Sequence, residues 1–159
     1  MPHSVKASTL CIFTMMIMKH IDADILGKLI LLQSTLHVMH GEKAIARFVC
    51  RGISAVPGVD GVSIYINGYF FSDHDDPALN ADTCEEFFSL LNNPDLDAPS
   101  RRNHLRQFNH EHGVDCMQIE SILSLYGFLC VKAKDHEIFQ AYKPYIENTL
   151  NVLALKVEN

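Results

Sequence analysis

The sequence predicts an α+β domain: a central antiparallel sheet of five or six strands with N- and C-terminal helices on one face. Three observations carry that expectation. Near both ends, apolar residues recur at spacings of three and four, the mark of amphipathic helices. On either side of Asn67-Gly68 the period falls to two, as in strands. Helices that bracket strands bury their apolar stripes against one sheet face. The opposite face is left for another role.

The first helix starts at Asp22 or Asp24, either a suitable N-cap, and runs through Ile25, Leu29, Leu32, Leu36 and Met39. Gly41 interrupts it. A second helical stretch begins at Glu42, with Ile45, Phe48, Val49 and Ile53 on one stripe, and Val56-Pro57-Gly58 closes it. Next comes "GVSIYINGYFFS". Asn-Gly supplies the two positive-φ residues of a type I′ hairpin, so Ile66 faces Tyr69, Tyr65 faces Phe70 and Ile64 faces Phe71. One sheet face then carries Val62, Ile64, Ile66, Tyr69 and Phe71; the other carries Ser63, Tyr65, Phe70 and Ser72.

Residues 73 to 103 read as a lid: acidic "DHDDP", a short helical run "DTCEEFFSLL", and the turn-rich "NNPDLDAPSRRN". After them "HLRQFNHEHG" predicts a strand ending at Gly113. "MQIESILSLYGFLCVKAKD" predicts two more, broken near Leu125-Tyr126-Gly127. The last helix runs from about Glu137, with Phe139, Tyr142, Ile146, Leu150, Leu153 and Val157 three or four apart. Pro144 is expected near its first turns, where a missing N–H is harmless.

Composition narrows the function. The chain has 159 residues, 48% hydrophobic and 20% charged, enough for one core without staples. A formal charge of -6, with no basic cluster longer than Arg101-Arg102, argues against nucleic acid as a partner. The apolar run Leu10 to Met18 is about half the ~20 residues of a membrane helix. No small-x-small cleavage site follows it. Residues 1–21 are therefore read as a leader and 22–159 as a single domain. Five scattered cysteines without a C-x-x-C pair indicate neither a disulfide framework nor a zinc site, and a reducing, cytoplasmic setting is expected. Cys84 and Cys116 alone stand outside an apolar helix or strand pattern.

The order of elements resembles the GAF domain, a sensory module related to PAS, over roughly residues 25–159. The closest likeness is "LYGFLCVKAKDHEIFQAYKPYIENTLNVLALKVEN", where Gly127, Leu129, Val131, Phe139, Leu153-Ala154 and Glu158-Asn159 stand at the family's positions. "IARFVCRGISAVPGVDGVSIYI" is similar to its helix, turn and first strand. The resemblance implies a small-molecule sensor of a two-component or related signal-transduction system. Its terminal helices would form a homodimeric bundle, and the last would continue into an output domain such as a histidine kinase or a cyclic-dinucleotide enzyme. A dimer through Ile25, Leu29, Leu36, Leu150, Leu153 and Val157 is expected. The apolar beat running almost to Asn159 fits such a module cut from a larger protein.

The chemistry-bearing residues are sparse. His110 and His112, two apart on the expected strand, would share a face, yet no His/Cys/Asp set accompanies them. A polar strand lining a cavity is the preferred reading. "SDHDDP" lacks the spaced ligands and glycine of a calcium loop and reads as a solvated turn. No Cys-His dipeptide offers a bilin attachment of the kind the resemblance would imply, and the asparagine-lysine-phenylalanine motif of cyclic-nucleotide binders is absent. Free methionine sulfoxide reductases are also single GAF-like domains, but the chain has no tryptophan for their strand motif. The expected ligand site is Tyr65, Phe70, Phe87, Phe88, Phe108 and His110, on the hairpin, the lid helix and the strand after it, with the cofactor unknown and no metal. A ligand-free dimerisation module is the alternative.

Overall fold

The computed structural model describes residues 21–159. The expected leader, with its apolar run, falls almost wholly outside them. In chain order the elements are α1 (Ala23–Leu36), α2 (Glu42–Ser54), β1 (Val59–Ile66), β2 (Tyr69–Ser72), α3 (Ala81–Leu91), α4 (Ala98–His112), β3 (Asp115–Glu120), β4 (Leu125–Ala133) and α5 (His136–Glu158). The α+β class is as expected. Among the described residues the sheet has four strands, in the order β2-β1-β4-β3 and all antiparallel, not five or six.

The missing strand is α4. The segment "HLRQFNHEHG" is the second half of a helix that begins further back, where Asp97 caps the N–H of Ser100 and Pro99 sits in the first turn. Gly113, at φ 62°, ends it in the left-handed conformation, its N–H returning to the Asn109 carbonyl. Helical spacing puts Arg101, Leu105, Phe108 and His112 on one stripe. The alternating look of Phe108, His110 and His112 is therefore incidental.

Pro144 also departs from expectation. Asp135 caps Ile138 and starts α5 at His136, so Pro144 lies well inside the helix. It cannot donate to the Gln140 carbonyl four residues back. Pro144 and Gln140 are both exposed, so the missing donor falls on the solvent side of the helix, which continues through it.

The hairpin forms in the expected register, Ile66↔Tyr69, Tyr65↔Phe70 and Ile64↔Phe71, with Asn67 at φ 47° and Gly68 at φ 83°. The next break falls slightly earlier than expected, at Ser121 to Ser124.

The sheet is covered on both faces. On one, Val62, Ile64, Ile66, Met117, Ile119, Leu129 and Val131 pack against apolar residues of α1, α2 and α5. Helices α1 and α5 run side by side in the same direction: the Asp22 N–H donates to the Tyr142 hydroxyl (2.7 Å), Gln33 Nε2 to Thr149 Oγ1 (3.0 Å) and Lys156 Nζ to the His37 carbonyl (3.1 Å). Thr149 is fully buried, and its hydroxyl donates to the Tyr145 carbonyl while accepting from Gln33. On the other face Tyr65, Phe128, Cys116 and Cys130 pack against α3 and α4.

The expected dimer residues have a different role. Leu29, Leu36, Leu150 and Leu153 are buried inside one chain, and Ile25 and Val157 pack against the same core. The stripe that wants a partner finds it in α2 and the sheet. The apolar side chains left exposed on α1 and α5 are Ile30, Leu31 and Leu155.

Strands β1 and β4 approach most closely at Gly127, where an added Cβ would run into the Tyr65 carbonyl. Gly127→Ala is expected to cost at least about 2 kcal/mol, because rigid backbone must move. Gly27→Ala, with nothing within 4 Å of the new Cβ on exposed α1, is expected to gain about 0.5–1 kcal/mol. Urea denaturation of the two variants checks the opposite signs.

Candidate functional site

The sheet face beneath α3 and α4 is built of two transverse rows. Register aligns Ser72 with Ser63, Ser63 with Cys130, and Cys130 with Cys116. The neighbouring row is Phe70, Tyr65, Phe128 and Gln118. A polar and sulfur row thus lies beside an aromatic one. Period-two geometry puts both on the same face, since their members are two residues apart along every strand.

Above the aromatic row, rings close the layer. Phe87 of α3 and Phe108 of α4 stack at 3.9 Å, and Phe128 meets Phe87 edge-on at 5.3 Å. Tyr65 lies 5.7 Å from Phe128 and 5.4 Å from Phe88. Tyr65, Phe87 and Phe108 are buried at 4%, 6% and 6% exposure, so together they fill the space they surround. Phe70 and Phe88 are half-buried against the cluster.

The structure therefore brings five of the six sequence-derived site residues into one layer. His110 is separate: it is exposed on α4, about 200° around the helix from the inward-facing Phe108. His112 lies 4.3 Å from the Phe108 ring, so the two histidines do not share a face. Among the described residues no group of three His, Cys, Asp or Glu side chains is placed to hold a metal.

The polar row ends in a small network. Ser63 Oγ and Ser72 Oγ are 2.9 Å apart, and Ser72 Oγ lies 3.2 Å from His74 Nδ1. Asp73 Oδ1 accepts from the Val62 N–H at 2.7 Å and lies 3.2 Å from His74 Nδ1. The His74 ring covers Gly61, where a Cβ would meet it at 2.5 Å. Its Nε2 is buried without a hydrogen-bond partner, as are Gln118 Nε2, Arg101 Nε and His112 Nδ1. Gln118 belongs to the aromatic row, Arg101 and His112 to the inner stripe of α4. Buried polar atoms without partners are uncommon and mark places that take water or a polar ligand. The acidic turn "SDHDDP" is thus partly structural, tying β2 back onto β1.

Sequence reading missed Phe128, Ser63, Ser72, His74 and the pairing of Cys116 with Cys130. Phe128 and Cys130 had a usable signal in the alternation of β4; the cross-strand alignment had none, because it depends on which strands are neighbours. Cys116 and Cys130 form a disulfide between adjacent strands, their Cα atoms 4.2 Å apart. The Cys116 N–H donates to Asn109 Oδ1 of α4 (3.0 Å), turned away from β4. Such non-hydrogen-bonded pairs are where antiparallel strands come closest. The expectation that the scattered cysteines form no disulfide is corrected for this pair.

Cys50 and Cys84 are free and buried. Burial pushes the Cys84 thiol up to about 12. Burial, aided by the Asp73 carboxylate, does the same for Cys50, again to about 12. The Tyr65 hydroxyl is also raised, by burial and then by Glu85.

On the far side, the end of α5 is tied to the β3–β4 turn. Glu158 Oε1 accepts from Ser121 Oγ and from the Tyr126 hydroxyl, the latter at 2.6 Å. Those bonds, Ser121 first, hold the Glu158 carboxyl below its ordinary value, and the same bond to Glu158 raises Tyr126.

Comparison with protein-family models and with curated proteins finds no match to this chain. No helix among the described residues is long and apolar enough to cross a membrane.

Two outcomes follow from these groups. With both thiols raised to about 12, Cys50 and Cys84 are expected to resist iodoacetamide at pH 8 in the folded chain and to react fully in urea, read by peptide mass spectrometry. A carboxyl lowered on folding stabilises above its unfolded value of 4.5 and loses that contribution as pH falls through the folded value. Hydrogen exchange at Ser121 to Tyr126, corrected for intrinsic rates, is therefore expected to lose protection as pH falls below 4.5, and Glu158→Gln to flatten that dependence.

Proposed function

We propose that this chain is a small-molecule-binding regulatory sensor domain of a cytoplasmic signal-transduction protein, relaying ligand state through α5 to an output domain such as a histidine kinase or a cyclic-dinucleotide enzyme. One observation carries the reading: the same two strands line both the candidate site and the seat of the terminal helix. Ser63, Tyr65, Phe128 and Cys130 face α3 and α4, while their neighbours Val62, Ile64, Leu129 and Val131 face α1, α2 and α5. A packed sheet has few intermediate states, so a ligand that alters one face shifts the packing on the other.

With the aromatic rings already in contact, entry requires α3 and α4 to part. The unpartnered polar atoms of His74, Gln118, Arg101 and His112 supply hydrogen-bonding capacity a ligand would use. The filled aromatic cluster is also the observation that favours the alternative, a ligand-free dimerisation module.

Screening the full chain against a metabolite library by thermal shift separates the two. A sensor gives a binder that raises the melting temperature, changes exchange in Ala81–Leu91 and Ala98–His112, and alters exchange around Ser121 to Ser124 next to Glu158. A library without binders, and a purified chain carrying no small molecule, would favour the dimerisation module.

A homodimer would use the exposed Ile30, Leu31 and Leu155 of the paired helices. Light scattering is expected to show a dimer that Ile30→Glu with Leu31→Glu converts to a monomer of unchanged circular dichroism; a monomeric wild type at high micromolar concentration removes this part.

A further inference from the structure

We propose that Cys116 is a thiol-exchange site, at which small thiols and disulfides of the glutathione class reversibly open and close the Cys116–Cys130 bond. The placement of the two sulfurs in the sheet carries the proposal, and it does not depend on the sensor reading. Cys130 lies on β4, hydrogen-bonded to β1 on one side and β3 on the other, and is 1% exposed. Cys116 lies on β3, the edge strand, and is 8% exposed. In the row Ser72, Ser63, Cys130, Cys116 it is the end member at the sheet edge, so the line of attack opposite its bond to Cys130 leads off the edge of β3, whereas the same line at Cys130 leads back over β1. An attacking thiolate must reach the sulfur it attacks, so access selects Cys116.

The exchange balances. A small thiolate attacks Cys116 Sγ, the Cys116–Cys130 bond breaks, and Cys130 leaves as a thiolate that takes up a proton. The product is a mixed disulfide on Cys116. A second small thiolate attacks the small-molecule sulfur of that mixed disulfide, releasing the symmetric small disulfide and the Cys116 thiolate, which is then protonated. Overall, one protein disulfide and two thiols become one protein dithiol and one small disulfide; a small disulfide reverses the sequence.

The reaction has a route to α4. Asn109 accepts the Cys116 N–H, so the backbone of the exchanging residue is held by the helix that also carries Phe108. Loss of the bond removes the covalent tie between β3 and β4 beneath that helix and leaves the ladder hydrogen bonds to hold the edge strand. Opening is expected to speed exchange in β3 and in the C-terminal half of α4 more than in α1.

The full chain is incubated with millimolar reduced glutathione, quenched in acid and mapped by peptide mass spectrometry, which separates Cys116 and Cys130 from Cys11, Cys50 and Cys84. The expected result is a mass gain of one glutathione on the peptide holding Cys116. In a second arm, glutathione disulfide is expected to modify Cys130→Ser at Cys116 and to leave Cys116→Ser unmodified at Cys130. The wild-type arm needs no variant to fold. A disulfide that persists in the folded chain under millimolar glutathione, or an adduct on Cys130 as abundant as on Cys116, would overturn the proposal.

Discussion

Everything in this fold depends on the pairing of β1 with β4. Both strands are buried on both faces over most of their length, so they need cover above and below. A four-stranded sheet with one bare face would leave Tyr65, Phe128 and Cys130 in water, at roughly 1.5–3 kcal/mol for each large side chain. The chain meets that demand with α1, α2 and α5 on one side and α3 and α4 on the other. The close contact at Gly127 sets how far the two strands can interlock.

Two-sided burial also puts both helical layers in contact with one sheet. Alternation sends adjacent residues to opposite layers, so each backbone shift in β1 or β4 is felt by both. The cover differs in kind. On the α5 side it is mostly aliphatic, with Phe139 and Tyr142 among it, and the hydroxyls of Thr149 and Tyr142 are both hydrogen-bonded. On the α4 side it is aromatic, sulfur-bearing and polar at its margin, with several polar atoms lacking partners.

Much of the secondary structure was legible. The Asn67-Gly68 turn fixes its hairpin through backbone sterics alone, and register follows from the turn. The stripes of α1, α2 and α5 were readable because each has a single wet face. What misled was "HLRQFNHEHG", since its polar residues carry no strong period and its cap, Asp97, lies well upstream. Pro144 misled for a related reason: a local rule about prolines gave way to tertiary packing on the other side of α5. The dimer residues were chosen by a correct stripe and a wrong partner, since periodicity identifies a buried face without saying what buries it.

The sequence by itself determined the class of fold, the hairpin and its two faces, and the aromatic residues that gather around Phe128. It did so because turn sterics and apolar period act over a few neighbouring residues. Only the tertiary structure decided that Ser72, Ser63, Cys130 and Cys116 form one row, that His74 closes its end and that His110 stands apart. Those residues are up to 67 positions distant in the chain, and they meet because the strand order β2-β1-β4-β3 makes neighbours of strands that the sequence keeps far apart.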